Sequence, residues 1–276
     1  SEQRYRKFRP FVRPFFQKLD LVCVQEPEDV ARWESLGLKA ERIQVVGSIK
    51  FDPENVVARP ERPRAILAAL GIDASRPILL GGSTHPGEEK ILGRIFQELR
   101  AEFPELFLVL APRHVERARE VASQLRQLGL PPVLRSEATS PATNDCLLLD
   151  TTGELRDWYP VATIVFIGKS LAARGGQNPV EAIVADRPVV FGPHMENFAR
   201  LAESLVATGG ALQAHDETEL GRYFAELLRD ENARARCVRE ARRVLDAHRG
   251  ATARTAQLLK EIPTDSPSRC HPERSE

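Results

Sequence analysis

The chain has 276 residues, and its 39 Lys and Arg residues balance its 39 Asp and Glu residues. A balanced charge gives no general attraction to nucleic acid, so any electrostatic targeting must be local. The four cysteines form no C-x-x-C pair, which argues against a disulfide framework or a cysteine zinc site, and no apolar run reaches the roughly 18–20 residues that cross a bilayer.

The opening segment mixes cations with phenylalanines in RYRKFRPFVRPFFQK. Such a segment either contacts anionic lipid headgroups or forms an amphipathic helix whose Phe side packs on another domain. Because the chain has no initiator Met, we expect it to start inside a larger domain. At the other end, residues 263–276 lack hydrophobic periodicity and are rich in Pro, Ser and charge, so we expect a disordered tail.

Residues 1–50 contain a strand–helix–strand pattern, in which the helix-like EPEDVARWESLG lies between the apolar runs LDLVCVQ and RIQVVGS. Residues 51–62 are rich in Pro and polar side chains, which indicates a linker. From residue 63 to residue 262, strand and helix patterns alternate regularly. This alternation predicts an α/β fold with a Rossmann-like, doubly wound, mainly parallel sheet.

The larger domain is predicted to contain the strands RPILLGGST, LFLVLAPRH, PVLR, CLLLD, TIVFIGKS and PVVFG. Doubly wound sheets bind ligands beyond the carboxyl ends of their strands. We therefore expect the loops that follow these strands to converge on one crevice. They are residues 81–89, 111–114, 150–155 and 170–181.

The loop ARGGQNPVEAI places Gly175 and Gly176 before a predicted helix. Glycines let the backbone approach a ligand, and a helix start offers free N–H groups, so a phosphate would be held there. Asn178 is a good N-cap and Pro179 suits the first helical turn. Glu181 suits a ribose diol better than a phosphate. An ordinary capped helix after a glycine loop explains the same residues.

Side chains in the other loops have ordinary explanations beside functional ones. Arg113 either faces the crevice or is a surface cation, and His114 is expected to be structural or capping. Ser83 and Thr84 are expected to cap the helix that starts at PGEE, whose first turn favours acidic residues such as Glu88 and Glu89. A threonine is likewise expected to cap the helix in DTTGEL.

Lys50 lies between the first fragment and the larger domain. It either meets developing negative charge in a cleft or is a solvated linker lysine.

The sequence has no G-x-S-x-G elbow, no Walker motif and no G-x-G-x-x-G after its first strand, which argues against a serine hydrolase, a nucleoside triphosphatase and a dinucleotide oxidoreductase.

Six motifs occur in the order GSIKFD, GGSTHPGEE, LAPRHVERA, TTGEL, GGQNPVEAI and GPHMENF. Together they resemble the 3-deoxy-D-manno-octulosonic acid (Kdo) transferase family of lipopolysaccharide synthesis, over nearly the whole chain except the final tail. The resemblance implies a glycosyltransferase-B fold and inverting transfer of Kdo from CMP-Kdo to a lipid A precursor (lipid IVA), with no metal or other cofactor. Residues 1–50 would be the remnant of the acceptor-binding domain, and residues 63–262 the donor-binding domain.

The resemblance also implies site residues. The CMP site would be formed by Pro112, Arg113, Thr152, Gly153, Glu154, Asn178, Pro179, Val180 and Glu181, joined by Gly175 and Gly176 of the glycine loop. Lys50 of the KFD motif would stabilise the transition state. The general base and the membrane anchor of the family are expected upstream of Ser1, so we expect donor binding with little or no transfer by this chain.

The same resemblance places the full-length protein on the cytoplasmic face of the bacterial inner membrane, while the chain itself is expected to be soluble and to bind no nucleic acid. Two alternatives stay open. One is another glycosyltransferase-B enzyme, or an epimerase, that uses a UDP-sugar. The other is a non-catalytic nucleotide-binding module.

Overall fold

The computed structural model describes residues 8–52, 58–141 and 143–262, and the chain divides into two compact units. The first unit combines residues up to 52 with those from 247 onward, and the second spans residues 53–246. The last helix therefore groups with the first unit, whereas the sequence placed everything up to residue 262 in the larger domain. The predicted tail at 263–276 and part of the predicted linker lie outside the described residues, and the functional labels of the domains stay predictions.

The first unit contains a small parallel sheet covered by helices. Strand β1 pairs with β2 from Val22 opposite Ile43 to Val24 opposite Val45. The buried side chains of Val24, Leu38 and Ile43 form its core. The elements of this unit are α1 (Arg9–Phe16), β1 (Val22–Val24), α2 (Pro27–Ser35), β2 (Ile43–Val45) and α11 (Ala251–Glu261).

Helix α1 contacts the rest of the first unit through Phe16. The Phe16 ring meets the Trp33 ring edge-on at 5.6 Å between centroids. On the other side, Phe8, Phe11 and Phe15 are more than half exposed. The predicted helix thus exists, and Phe11 and Phe15 are exposed while Phe16 packs on Trp33.

Contacts from the C-terminal segment hold the turn that carries Lys50. The carboxylate of Asp52 accepts hydrogen bonds from the backbone N–H groups of Gly250 and Thr252, at 2.9 and 2.8 Å. The guanidinium of Arg254 donates to the carbonyl of Val46 at 2.7 and 3.1 Å. Residues at both ends of the chain therefore build this unit together.

The second unit is built around a seven-stranded parallel sheet. Its strands are β3 (Ile78–Thr84), β4 (Phe107–Pro112), β5 (Val133–Leu134), β6 (Cys146–Leu148), β7 (Ile164–Ile167), β8 (Val189–Phe191) and β9 (Leu212–Gln213). Its helices are α3 (Glu61–Ala69), α4 (Glu88–Leu99), α5 (Ala118–Gln127), α6 (Leu155–Trp158), α7 (Val180–Val184), α8 (Ala199–Thr208), α9 (Glu217–Arg229) and α10 (Glu231–Asp246).

The strand order is β5-β6-β4-β3-β7-β8-β9, and all pairs are parallel. Strands β4, β6, β7 and β8 are buried along their whole length, because helices cover both faces of such a sheet. Strands β3 to β6 form one half of the sheet, with β6 inserted between β4 and the edge strand β5, and strands β7 to β9 form the other half. The topological switch therefore lies between β3 and β7. The predicted Rossmann-like, doubly wound fold class is confirmed.

Some elements were not predicted. Strand β9 has only two residues and too little apolar pattern to detect, and α3 starts at Glu61, inside the predicted linker. Conversely, the helix predicted at PVEAIVA has only five residues, Val180–Val184. Short elements at the sheet edge are specified by tertiary packing more than by their own sequence.

Glu88 is the first residue of α4, and its side chain is fully buried. A buried carboxylate is costly unless hydrogen bonds satisfy it, and here backbone N–H groups from two loops do so. One oxygen accepts from His85 and Lys169 at 2.8 Å each, and the other from Ser170 and Leu171 at 3.0 Å each. Glu88 thus lies in the first helical turn as predicted, but it also ties the loop after β3 to the loop after β7.

Replacing Glu88 with Gln tests this tie. The amide keeps the shape but turns an NH₂ group toward backbone donors, so we expect the free energy of unfolding to fall by about 3 kcal/mol, since hydrogen bonds to charged groups contribute about 1.5–3 kcal/mol. Urea denaturation would measure it. Glu98→Gln, at an exposed position of the same helix, is the control and should change stability by less than about 0.5 kcal/mol. Equal stability of the two variants would contradict the role of Glu88.

Candidate functional site

A cavity of about 590 Å³ opens at the carboxyl ends of β3, β4 and β6. Ser83 contributes from the end of β3, and the segment from Ala111 to Arg113 from the end of β4. The loop after β6 contributes Thr151, Thr152 and Gly153. This is the edge at which doubly wound sheets bind ligands.

The structure brings part of the predicted site together. Five predicted residues line the cavity, namely Pro112, Arg113, Thr152, Gly153 and Glu181. The other predicted residues, Glu154, Gly175, Gly176, Asn178, Pro179 and Val180, are not among those that line it. Their part in binding CMP stays a prediction.

Cations outnumber acids on the cavity wall. Arg59, Arg62, Arg113 and Arg156 line it together with two carboxylates, Asp157 and Glu181. Both carboxylates have protein partners. Asp157 accepts the backbone N–H of Arg59 at 2.7 Å, and Glu181 pairs with Arg156 at 2.5 Å. The wall therefore presents a surplus of positive charge, which suits an anionic ligand.

The hydroxyl of Thr151 is buried on this wall without a hydrogen-bond partner among the described residues. Buried polar groups nearly always have a partner, so an exception calls for an explanation. A ligand in the cavity would supply one. The expectation that a threonine caps the following helix is wrong, because α6 begins at Leu155 and has no side-chain cap.

The glycine loop uses its N–H groups within the protein. Gly175 donates to the carboxylate of Glu196 at 2.7 Å, and Gly176 donates to the carbonyl of Lys169 at 2.9 Å. A Cβ on Gly176 would lie only 2.4 Å from the sulfur of Met195. The expectation that these amides are free for a phosphate is therefore wrong, and the close approach that excludes a side chain is to the protein's own Met195.

Helix α7 follows this loop and begins at Val180. The N-cap position is occupied by Pro179 and not, as predicted, by Asn178, which lies one residue earlier. The Oδ1 atom of Asn178 still accepts the Val180 N–H at 3.0 Å and so satisfies a backbone donor at the start of the helix. Pro179 lies immediately before the first helical residue. With one turn of helix, the dipole adds little, and Glu181 reaches the cavity through its side chain.

The loop after β3 does not cap the following helix in the way that the sequence predicted. Helix α4 is preceded by Gly87, with φ +96°, and no side chain caps it, so the expected capping by Ser83 or Thr84 is wrong. Instead, Thr84 donates its hydroxyl to Glu89 at 2.9 Å, and the buried Glu89 carboxylate also accepts from Arg117 at 2.9 Å. Ser83, which precedes Thr84, lines the cavity.

His85 lies beside this loop in a group of nitrogen-bearing side chains. Its Nε2 is 3.2 Å from the Nε2 of Gln177, and its ring meets that of His114 edge-on at 5.9 Å. Burial lowers the pKa of His85 below its ordinary value, and the nearby Lys169 cation lowers it further. The imidazole is therefore neutral at pH 7.

Lys50 lies in the first unit, on the helical turn Ile49–Phe51, and is exposed. Its expected role at a transition state stays a prediction.

The sequence did not predict that Arg59 and Arg62 line the cavity, because both residues were assigned to the linker.

Two features are absent from the described residues. No helix in that part of the chain is both long and apolar enough to span a bilayer, and no three His, Cys, Asp or Glu side chains there are arranged to hold a metal ion.

Comparison with known proteins identifies relatives. The sequence model of the family described as 3-Deoxy-D-manno-octulosonic-acid transferase (kdotransferase) matches residues 1–53. A 3-deoxy-D-manno-octulosonic acid transferase of Haemophilus influenzae is 32% identical over 94% of this chain. One of Bordetella pertussis is 37% identical over 88% of it. The chain spans 61% and 56% of the lengths of these two relatives.

Solved structures agree with the fold. The C-terminal CMP-Kdo binding domain of WaaA from Acinetobacter baumannii matches with a TM-score of 0.62 at 27% identity, over 67% of this chain and 97% of that domain. A glycosyltransferase from Rickettsia africae matches with a TM-score of 0.57 over 94% of this chain and 68% of its own, at 13% identity, which shows the fold alone. With the ordered motifs and the glycosyltransferase-B-type sheet, these matches confirm that the chain is similar to the 3-deoxy-D-manno-octulosonic acid transferase family over the part that it shares with these relatives.

Proposed function

We propose that this chain binds CMP-Kdo in the cavity beyond β3, β4 and β6. The observation that carries the proposal is the composition of the cavity wall. It contains four arginines, one of which is the motif residue Arg113, together with the motif residue Glu181. A nucleotide sugar with a phosphodiester and a carboxylate is a dianion, so this surplus of guanidinium groups complements it. The unpartnered hydroxyl of Thr151 adds a group for the ligand to satisfy.

The proposed activity is inverting transfer of Kdo from CMP-Kdo to a lipid A precursor, lipid IVA. Arg113 would stabilise the negative charge that builds on cytidylate as the bond to the sugar breaks. Because guanidinium groups supply this charge, the reaction needs no metal at the leaving group. Glu181, held by Arg156, would accept hydrogen bonds from the ribose hydroxyls.

Three parts of the proposal lie outside this cavity. Lys50 would stabilise the transition state, and a general base would activate the acceptor hydroxyl. The acceptor is a lipid, so the proposed place of action is the cytoplasmic surface of the bacterial inner membrane. The cation-rich opening segment and the exposed Phe11 and Phe15 support that location.

Calorimetry on the wild-type chain tests the ligand class. We expect CMP to bind more tightly than UMP or UDP, because the proposed ligand is a cytidylate. Tighter binding of UDP would favour the alternative of a UDP-sugar enzyme, and no binding of any of these nucleotides would overturn the proposal.

Replacing Arg113 with Ala tests the cavity wall. If Arg113 makes a charge-assisted hydrogen bond to the phosphate, CMP binding should weaken by about 1–3 kcal/mol. Arg174→Ala is the matched control, because the Arg174 side chain is 82% exposed and does not line the cavity. We expect the control to leave the dissociation constant unchanged. Equal effects of both changes would remove Arg113 from the site.

Replacing Thr151 with Val tests whether its hydroxyl is reserved for a ligand. Without ligand, removal of an unpartnered buried hydroxyl should raise the free energy of unfolding by about 1 kcal/mol. With CMP, affinity should fall. Thr163→Val is the contrast, because the Thr163 hydroxyl accepts the N–H of Ile78 at 2.9 Å, and its loss should destabilise by about 1–3 kcal/mol. Destabilisation by both changes would mean that Thr151 has a structural role.

A further inference from the structure

Lys169 has a backbone conformation that lysine rarely adopts. Its φ is +58°, in the left-handed region, where glycine is free of strain and a residue with a Cβ is not. Among the described residues other than glycine, only Ser83 and Asp186 share this feature, with φ of +52° and +59°. Strained residues persist where the surrounding structure enforces them, and they cluster at functional sites.

Lys169 lies at the topological switch of the sheet. It comes two residues after the end of β7, next to the end of β3. The N–H groups of Lys169 and His85 donate to the same oxygen of Glu88, each at 2.8 Å, so the two residues are neighbours. A Cβ on Gly168 would lie 2.2 Å from the carbonyl oxygen of Ser83, which lines the cavity. Lys169 does not itself line the cavity, but it follows a residue that packs against the backbone of Ser83 on the cavity wall.

The side chain of Lys169 extends over the glycine loop, since its Cε would lie 3.5 Å from a Cβ on Gly175. The nearest acids are already engaged. Glu88 accepts backbone N–H groups, Glu89 pairs with Arg117, and Glu196 accepts from Gly175. No carboxylate within the described residues forms an ion pair with the Lys169 ammonium.

The neighbouring polar groups also carry nitrogen. His85 and Gln177 present their Nε2 atoms to each other at 3.2 Å beside Lys169. The His85 Nε2 accepts the N–H that Gln177 directs at it, which leaves the second amide N–H of Gln177 as a donor, and the ammonium has three. A half-buried lysine whose ammonium pairs with no carboxylate, beside this amide donor at the switch point, has the chemistry of an oxyanion site.

We propose that Lys169, with Gln177 and His85 beside it, binds an oxyanion of the ligand that occupies the neighbouring cavity. This inference rests on the proposed function, because CMP-Kdo offers two oxyanions, the phosphate and the sugar carboxylate. The strain at Lys169 is then retained because the chain needs an ammonium, which glycine cannot provide, at this position.

The test compares Lys169→Gly with the wild type. Glycine removes the cation and also relieves the backbone strain. Without ligand, we expect the melting temperature to rise by about 2 °C, because the left-handed conformation costs glycine less. Binding of the compound that carries the recognised oxyanion should weaken about tenfold. Lys169→Arg keeps the charge and should bind within about threefold of the wild type.

Asp186→Gly is the matched control for strain relief. Asp186 also has a positive φ, but it precedes β8 and so lies at the amino ends of the strands, whereas the cavity lies at their carboxyl ends. Its carboxylate pairs with Arg242 at 2.7 Å. We expect this change to leave every ligand affinity unaltered.

Three probes identify the oxyanion, namely cytidine, CMP and CMP-Kdo. Cytidine has neither charge and should bind both proteins equally. Weaker binding of CMP by Lys169→Gly assigns the site to the phosphate, and weaker binding of CMP-Kdo alone assigns it to the carboxylate.

Two results would overturn the inference alone. One is unchanged binding of both CMP and CMP-Kdo by Lys169→Gly when the wild type binds them. The other is a fall in its melting temperature, which would give Lys169 a structural role. A wild type that binds none of the three probes would instead overturn the proposed function, and with it the inference.

Discussion

The carboxylate of Glu88 sets the positions of the loops on which the candidate site depends. It is fully buried, and such a charge is stable only where several donors surround it. The donors come from the loops after β3 and β7, which are about 80 residues apart in sequence but adjacent at the switch point. One side chain thus orders the backbone near Ser83 and Lys169, and it does so without occupying the cavity. Rigid support of this kind lets a binding site be formed before its ligand arrives.

The cavity and its surroundings show a consistent use of charge. Acids near the site are each held by a protein partner, as Glu181 is by Arg156 and Glu89 by Arg117. Several cations, in contrast, face the open space. Because electrostatic interactions strengthen where water is excluded, a ligand that fills the cavity would increase the effect of these cations on its own charge. The loop amides, which are engaged within the protein, contribute rigidity to the site.

Much of the fold could be predicted from the sequence, because central parallel strands are apolar runs that end in polar loops. That pattern located β3, β4, β6, β7 and β8, and the ordered motifs placed Arg113 and Gly153 on the cavity that the structure shows. The hydrogen-bond partners could not be predicted. Whether the amides of Gly175 and Gly176 are free depends on Glu196 and Lys169, and whether Glu88 is exposed depends on a loop far along the chain. Such partners are set by tertiary contacts and not by local spacing.

The first unit is discontinuous, because helix α11 supplies contacts to the segment between Val46 and Asp52. During synthesis on the ribosome, the intervening unit has all its strands available before this last helix emerges. Domains generally fold as units while the chain is being made, so the sheet of the second unit can form while the first unit still lacks a component. The turn that carries Lys50 therefore becomes ordered only after α11 has been synthesised, and a chain without α11 would contain the cavity but lack the support of that turn.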